Sequence, residues 1–255
     1  MNDAEQKMIS RREAIIGAGK FAAGAAIVTL GAQVLPARVK AATPAAWPWG
    51  YKKLDVQEVG NLAYENWYKN FCCYAVVSGL LMPLQKSIGE PFTSLPLEAF
   101  VWGHGGAVGW GTLCGSLTGA GIATGLIAGK EGEAILNDVI AWYASTSLPI
   151  YKPAQPKAEI KNVNTSDSPL CHISVGKWMK KEGVAFASPQ RKERCARLSA
   201  DVAMRTATLL NDWADKKYKP VHGSNVKDHG ITTQLNCMEC HGDKVPTPVM
   251  PAPAK

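Results

Sequence analysis

The chain has 255 residues, 46% of them hydrophobic and 19% charged, with 28 Lys plus Arg against 21 Asp plus Glu for a formal charge of +7. That length suffices for one large or two small domains, and the apolar share is that of a packed protein rather than a disordered one. Beyond the first 41 residues 22 Lys plus Arg face 18 Asp plus Glu, about +4, with no long basic run, which gives nucleic-acid binding little support.

Residues 1–41 read as a cleaved export signal. Ser10-Arg11-Arg12 opens a twin-arginine motif, residues 14–32 form a mildly apolar run rich in Ala and Gly, and Val39-Lys40-Ala41 offers a small-residue cleavage site. The alternative is a membrane anchor, but a spanning helix wants about 20 strongly apolar residues. Lys20, with Gly17, Gly19, Gly24 and Gly31, dilutes the run. The mature chain is therefore expected in the periplasm, without a membrane span. The twin-arginine route carries folded chains, which suits a protein whose cofactor is inserted before export.

Residues 42–217 are expected to form an all-α, compact helical domain with glycine-rich helix packing. After an irregular lead-in (Pro44, Trp47, Pro48, Trp49), apolar residues recur at three and four from Val59 through Leu62, Ala63, Trp67, Phe71, Tyr74 and Val77, predicting a helix over residues 56–88 that Pro83 kinks or ends. The glycine-dense stretch 103–125 interleaves Trp102, Val108, Trp110, Leu113 and Leu117, so it reads as packed backbone rather than a polar linker. A buried helix follows over 133–143, then a surface loop over 149–169 rich in Pro, Asn and Ser. A short helix over 171–182 stops at Gly183, and Ser188-Pro189 starts a long one with Ser as N-cap. No repeat and no convincing alternating strand is visible. Residues 218–255 form an irregular, Pro-rich C-terminal segment.

That last segment carries Cys237-Met238-Glu239-Cys240-His241. Cys-x-x-Cys-His is the attachment motif of c-type haem: Cys237 and Cys240 form thioethers to the porphyrin, and the spacing sets His241 on the iron. A redox dithiol would want a strand–helix setting, and zinc a second cysteine pair; neither is present. Candidates for the second axial ligand are His222, His229 and Met250; His104 and His172 read as structural.

The other five cysteines, Cys72, Cys73, Cys114, Cys171 and Cys195, are an odd number for a disulfide framework. Cys114, Cys171 and Cys195 are expected at helix beginnings, where backbone N–H groups favour thiolate and cluster sulfide. Two disulfides or inert buried thiols are the bland alternative; an iron–sulfur cluster would explain the export route.

Cys72-x-x-Ala75-Val76, the glycine run leading to Cys114-Gly115-x-x-x-Gly119, and Cys171 and Cys195 on two helices together resemble the redox-active family named for its C_GCAxxG_C_C pattern. Ser116 stands where that motif usually has Ala. With the twin-arginine signal in front and the haem motif behind, the chain is similar to the split-Soret cytochromes c. The resemblance implies a periplasmic electron carrier, dimeric, with bis-histidine haems to which each subunit lends a histidine. It also implies an iron–sulfur cluster, of 2Fe–2S type, on Cys72 (or Cys73), Cys114, Cys171 and Cys195. The single Cys-x-x-Cys-His departs from that type, which has two haems per subunit.

Electron transfer to a periplasmic partner protein is thus the preferred reading, with no substrate chemistry. A small-molecule reductase with an open haem or cluster position, or a monohaem cytochrome with a structural disulfide domain, are the alternatives.

Overall fold

A computed structural model describes residues 46–222, all within a compact unit that begins at Ala45. Its order is α1 (Val56–Ser87), two short 3-10 turns (Phe92–Ser94 and Leu97–Phe100), α2 (Gly115–Ala128), a further 3-10 turn (Gly129–Glu131), α3 (Gly132–Ser145), β1 (Ser147–Leu148), β2 (Asn164–Thr165), α4 (Cys171–Glu182) and α5 (Pro189–Ala214). The expected all-α class holds. The export signal and most of the C-terminal segment, including the haem motif, lie outside the described residues. Among those described, no helix is long and apolar enough to cross a membrane.

The long helices start where side chains satisfy their free N–H groups. Asp55 accepts from the amide of Glu58 at 2.9 Å ahead of α1, and Ser188 accepts from that of Arg191 at 3.1 Å ahead of α5, with Pro189 in the first turn. α1 packs chiefly on α5 and α2, while α3 covers α2 and α5. The shared core contains Val59, Leu80, Leu81, Leu84, Leu117, Ile127, Ile135, Val139, Leu198, Val202 and Leu210, all at most 1% exposed; each such side chain contributes about 1.5–3 kcal/mol.

α2 can approach α1 this closely because it lacks side chains where the two meet. A Cβ added at Gly119 would lie 2.7 Å from the carbonyl oxygen of Cys73, and one at Gly115 would lie 3.0 Å from the Cβ of Cys72 and 1.9 Å from the carbonyl oxygen of Gly103 in the following loop.

Three expectations need correction. Pro83 neither kinks nor ends α1, which runs on to Ser87; the bond lost to Gly79 is offset by full burial of Leu80, Leu81 and Leu84 in the same stretch of helix. The real interruption is at Asn70–Phe71. The 149–169 stretch is not wholly surface: Asn164, Ser166 and Ser168 are buried, and β2 pairs antiparallel with β1, Ser147 opposite Thr165.

Candidate metal centre

Four separate local devices deliver the cysteines. The first is the break in α1. Phe71 has φ 64° and ψ −161°, a region essentially reserved for glycine and costing about 1–3 kcal/mol elsewhere. Its ring, 45% exposed, lies against Trp67 at 5.6 Å and His104 at 5.4 Å. The break makes Cys72 the head of a new helical segment, and the amide of Cys73 donates to Gly103 O at 3.1 Å.

The second and third devices are one clamp. Cys114 N donates to Pro169 O at 2.9 Å, Cys171 N to Thr112 O at 2.8 Å and His172 N to Gly111 O at 3.1 Å, with Leu113 bridged to Leu170. Cys114 thereby becomes the N-cap of α2, with no side-chain capping bond, and Cys171 the first residue of α4. The fourth element, α5, is drawn onto the head of α2 by the Ser116 and Ser199 hydroxyls, 2.9 Å apart. Cys195 does not stand at a helix beginning as expected. It lies in the second turn of α5, past the free amides where the dipole acts.

All five described cysteines are free thiols, so paired disulfides are not the arrangement here. Cys72, Cys114 and Cys195 are buried and Cys171 half-buried. Burial, then the neighbouring Cys195, Cys114 and Cys171, pushes the Cys72 thiol well above its ordinary range; the Trp67 indole N–H, 3.2 Å from its sulfur, pulls the other way. Cys171 is pushed up to about 12 by burial and by Cys114 and Cys195, against Arg194 and Arg191. Cys73 also rises to about 12, by burial and by Cys114 alone. Cys72 therefore belongs with the other three thiols, while Cys73 is turned into the main core.

Beside these thiols lies Arg194, 1% exposed. Its Nη2 donates to Ser174 Oγ at 2.7 Å and Ser174 O at 3.3 Å, and Nη1 is 4.0 Å from Cys195 Sγ. Its buried Nε has no hydrogen-bond partner. The Tyr143 hydroxyl donates to Ser174 Oγ at 2.7 Å, and burial, with Cys114 next, holds that phenol well above its usual pKa. Arg194 falls on the apolar stripe that continues through Leu198 and Val202, so a charged residue on a buried helix face was the sequence signal for it. Trp67, Tyr143 and Ser174 gave none.

Among the described residues no three His, Cys, Asp or Glu side chains surround one point at single-ion distance. The donor set nonetheless suits iron–sulfur chemistry: four soft thiols, three of them buried, with a buried cation whose orphaned N–H calls for an anionic neighbour.

Of the haem residues, Cys237, Cys240, His241 and His229 lie outside the described residues. His222 is the last one described, and its amide donates to Asp138 Oδ1 at 2.9 Å. Asp138, itself buried, also accepts from Val221 N at 3.0 Å and the Tyr218 hydroxyl at 2.8 Å. An aspartate inside a largely apolar helix marked this anchor in the sequence. His104 is half-buried and stacks on Phe71, and His172 is exposed beside Gly111.

Residues 68–209 match the family described as "Putative redox-active protein (C_GCAxxG_C_C)". A curated relative, the split-Soret cytochrome c of Desulfovibrio desulfuricans (strain ATCC 27774 / DSM 6949 / MB), is 33% identical over 92% of this chain and 88% of its own. A solved structure, described as a novel iron centre in the split-Soret cytochrome c from Desulfovibrio desulfuricans ATCC 27774, superposes with a TM-score of 0.66 at 33% identity. It covers 77% of this chain and 82% of its own.

Proposed function

The chain belongs to the C_GCAxxG_C_C redox-active family and, within it, to the split-Soret cytochromes c, and we propose from that premise that it transfers electrons through a c-type haem and a separate iron–sulfur centre. The observation that carries this reading is the gathering of four thiols from four separate elements, three of them beside a buried guanidinium to which no carboxylate is bonded. When bound, an iron–sulfur centre accepts and releases single electrons without making or breaking substrate bonds.

Cys72, Cys114, Cys171 and Cys195 would hold a centre of the 2Fe–2S type. Trp67 donates to the Cys72 sulfur, and hydrogen bonds to ligand sulfur are one of the levers on such a potential. The apolar packing of Ala75, Tyr151, Val175, Ala196 and Ala200 around Cys72 and Cys195 keeps water from the sulfurs. Cys237 and Cys240 would carry one covalent haem and His241 would ligate its iron, with His222 or His229 as the second histidine ligand in a homodimer. Ser10-Arg11-Arg12 sends the folded chain to the periplasm, where its partner is another redox protein.

Cys114→Ser tests the reading. The variant is expected to lose iron, acid-labile sulfide and the visible absorption of the cluster while keeping the haem c spectrum. Unchanged iron, sulfide and absorption would show the thiols to be idle and the proposal wrong.

A further inference from the structure

The charged side chains buried near the thiols are answered by conventional partners, with one exception. Glu193, fully buried, accepts from the Tyr64 hydroxyl at 2.9 Å and from Arg197 Nε at 2.7 Å. Asp201, 6% exposed, accepts from the amides of Ile150 and Tyr151 at 2.8 and 2.7 Å. Arg194 hydrogen-bonds only the neutral Ser174 and the Cys195 sulfur, with Nε unpaired; Asp201 senses its charge but spends both oxygens on amides and does not bond to the guanidinium. A buried cation without a directly bonded anion is disfavoured unless something in the working protein supplies the negative charge at the guanidinium.

Its surroundings say what that something is. Burial opposes the charge on Arg194, and the groups that favour it are Cys195, Tyr143 and Cys114. The guanidinium is also aimed by its neighbours: Ser174, one turn beyond Cys171 on α4, receives both Arg194 Nη2 and the Tyr143 hydroxyl. Arg194 precedes Cys195 on α5, and Tyr143 on α3 faces Cys114. One hydrogen-bonded relay thus ties three of the cysteines to a single fixed charge.

Resting on the iron–sulfur reading above, we propose that Arg194 is the built-in counter-ion of the four-thiol centre, held in place by Ser174 and Tyr143, and that its charge sets the centre's reduction potential. Reduction by a one-electron donor adds one negative charge and breaks no bond, so a fixed cation nearby favours the reduced form and raises the potential. Arg194 is a positioning residue, since it acts through the thiols.

The test compares the full-length protein with Arg194→Met and Arg194→Lys. Iron and acid-labile sulfide are counted per haem, the potential is read by dithionite titration followed by electron paramagnetic resonance, and thermal midpoints are measured with and without the non-haem iron. Arg194→Met is expected to lower the reduced-to-oxidised ratio at fixed potential at least about tenfold, about 59 mV for one electron, and to retain less iron. Stripped of that iron, it melts no lower than the wild type, because the guanidinium there has no hydrogen-bonded anion to answer. Arg194→Lys keeps the charge, and so keeps iron and potential nearer the wild type. Should Met fail to fold, Lys alone decides: a wild-type potential supports the counter-ion, and a fall as large as tenfold despite the retained charge overturns it. An Arg194→Met protein with unchanged iron and potential, or one destabilised equally with and without iron, also overturns it. A wild type lacking non-haem iron and sulfide would instead sink the iron–sulfur reading itself, and this inference with it.

Discussion

Asp201 gives the stability of the helical body a pH dependence opposite to that of most carboxylates. It sits on α5, 6% exposed, with its two oxygens taken by the amides of Ile150 and Tyr151. Burial raises its pKa; those two amides, Arg194 and Arg197 lower it, and the balance moves the carboxyl from 3.8 to about 7. The folded chain therefore holds a proton that the unfolded chain releases at lower pH. The stability this contributes is complete below about pH 4 and is lost as pH rises to about 7. At about 1.4 kcal/mol per pH unit, the interval from 3.8 to about 7 amounts to about 4 kcal/mol. Asp201→Asn removes the titration and keeps an acceptor for one amide. Urea unfolding of both proteins at equal ionic strength, from pH 4 to pH 8, should show wild-type stability falling relative to the variant by a few kcal/mol. A flat difference, or one that rises with pH, would refute the reasoning.

Cys72→Ala is expected to lose the non-haem iron and Cys73→Ala to keep it, because Cys72 interacts with all three other thiols and Cys73 with Cys114 alone; iron analysis of the two purified variants decides. Asp138→Ala frees the Tyr218 hydroxyl and the amides of Val221 and His222. Hydrogen bonds to charged groups are worth about 1.5–3 kcal/mol each where buried and less where water replaces them. Hydrogen exchange at 218–222 should accelerate markedly, with the α1–α5 contact still protected.

The sequence announced whatever local chemistry decides. Gly183, with φ 74°, closes α4 at the residue where the helix was expected to stop, and Ser188-Pro189 opens α5. The cysteine order and the haem motif were equally plain. The break at Phe71 was hidden, because Phe71 itself does not favour a positive φ; the long-range contacts of Phe71 with His104 and of the Cys73 amide with Gly103 accompany it. The same holds for the pairing of 111–114 with 169–172, which joins stretches more than fifty residues apart and has no local signature. Cys195 was expected among helix-terminal amides, and the charge near it comes instead from the preceding residue, Arg194.

α4 is the most weakly moored of the long elements. Only Ser174, Val175 and Trp178 of its twelve residues are buried; the side-chain bonds that tie it to the other helices converge on Ser174, from Arg194 and Tyr143, while Trp178, Lys181 and Glu182 bond to the loop over 161–163 and the backbone clamp holds its head. A ligand bridging Cys171 to the other thiols would rivet this helix to the body. Withdrawing the ligand would then make α4 the first part to come adrift, while the α1–α5 core stayed shut.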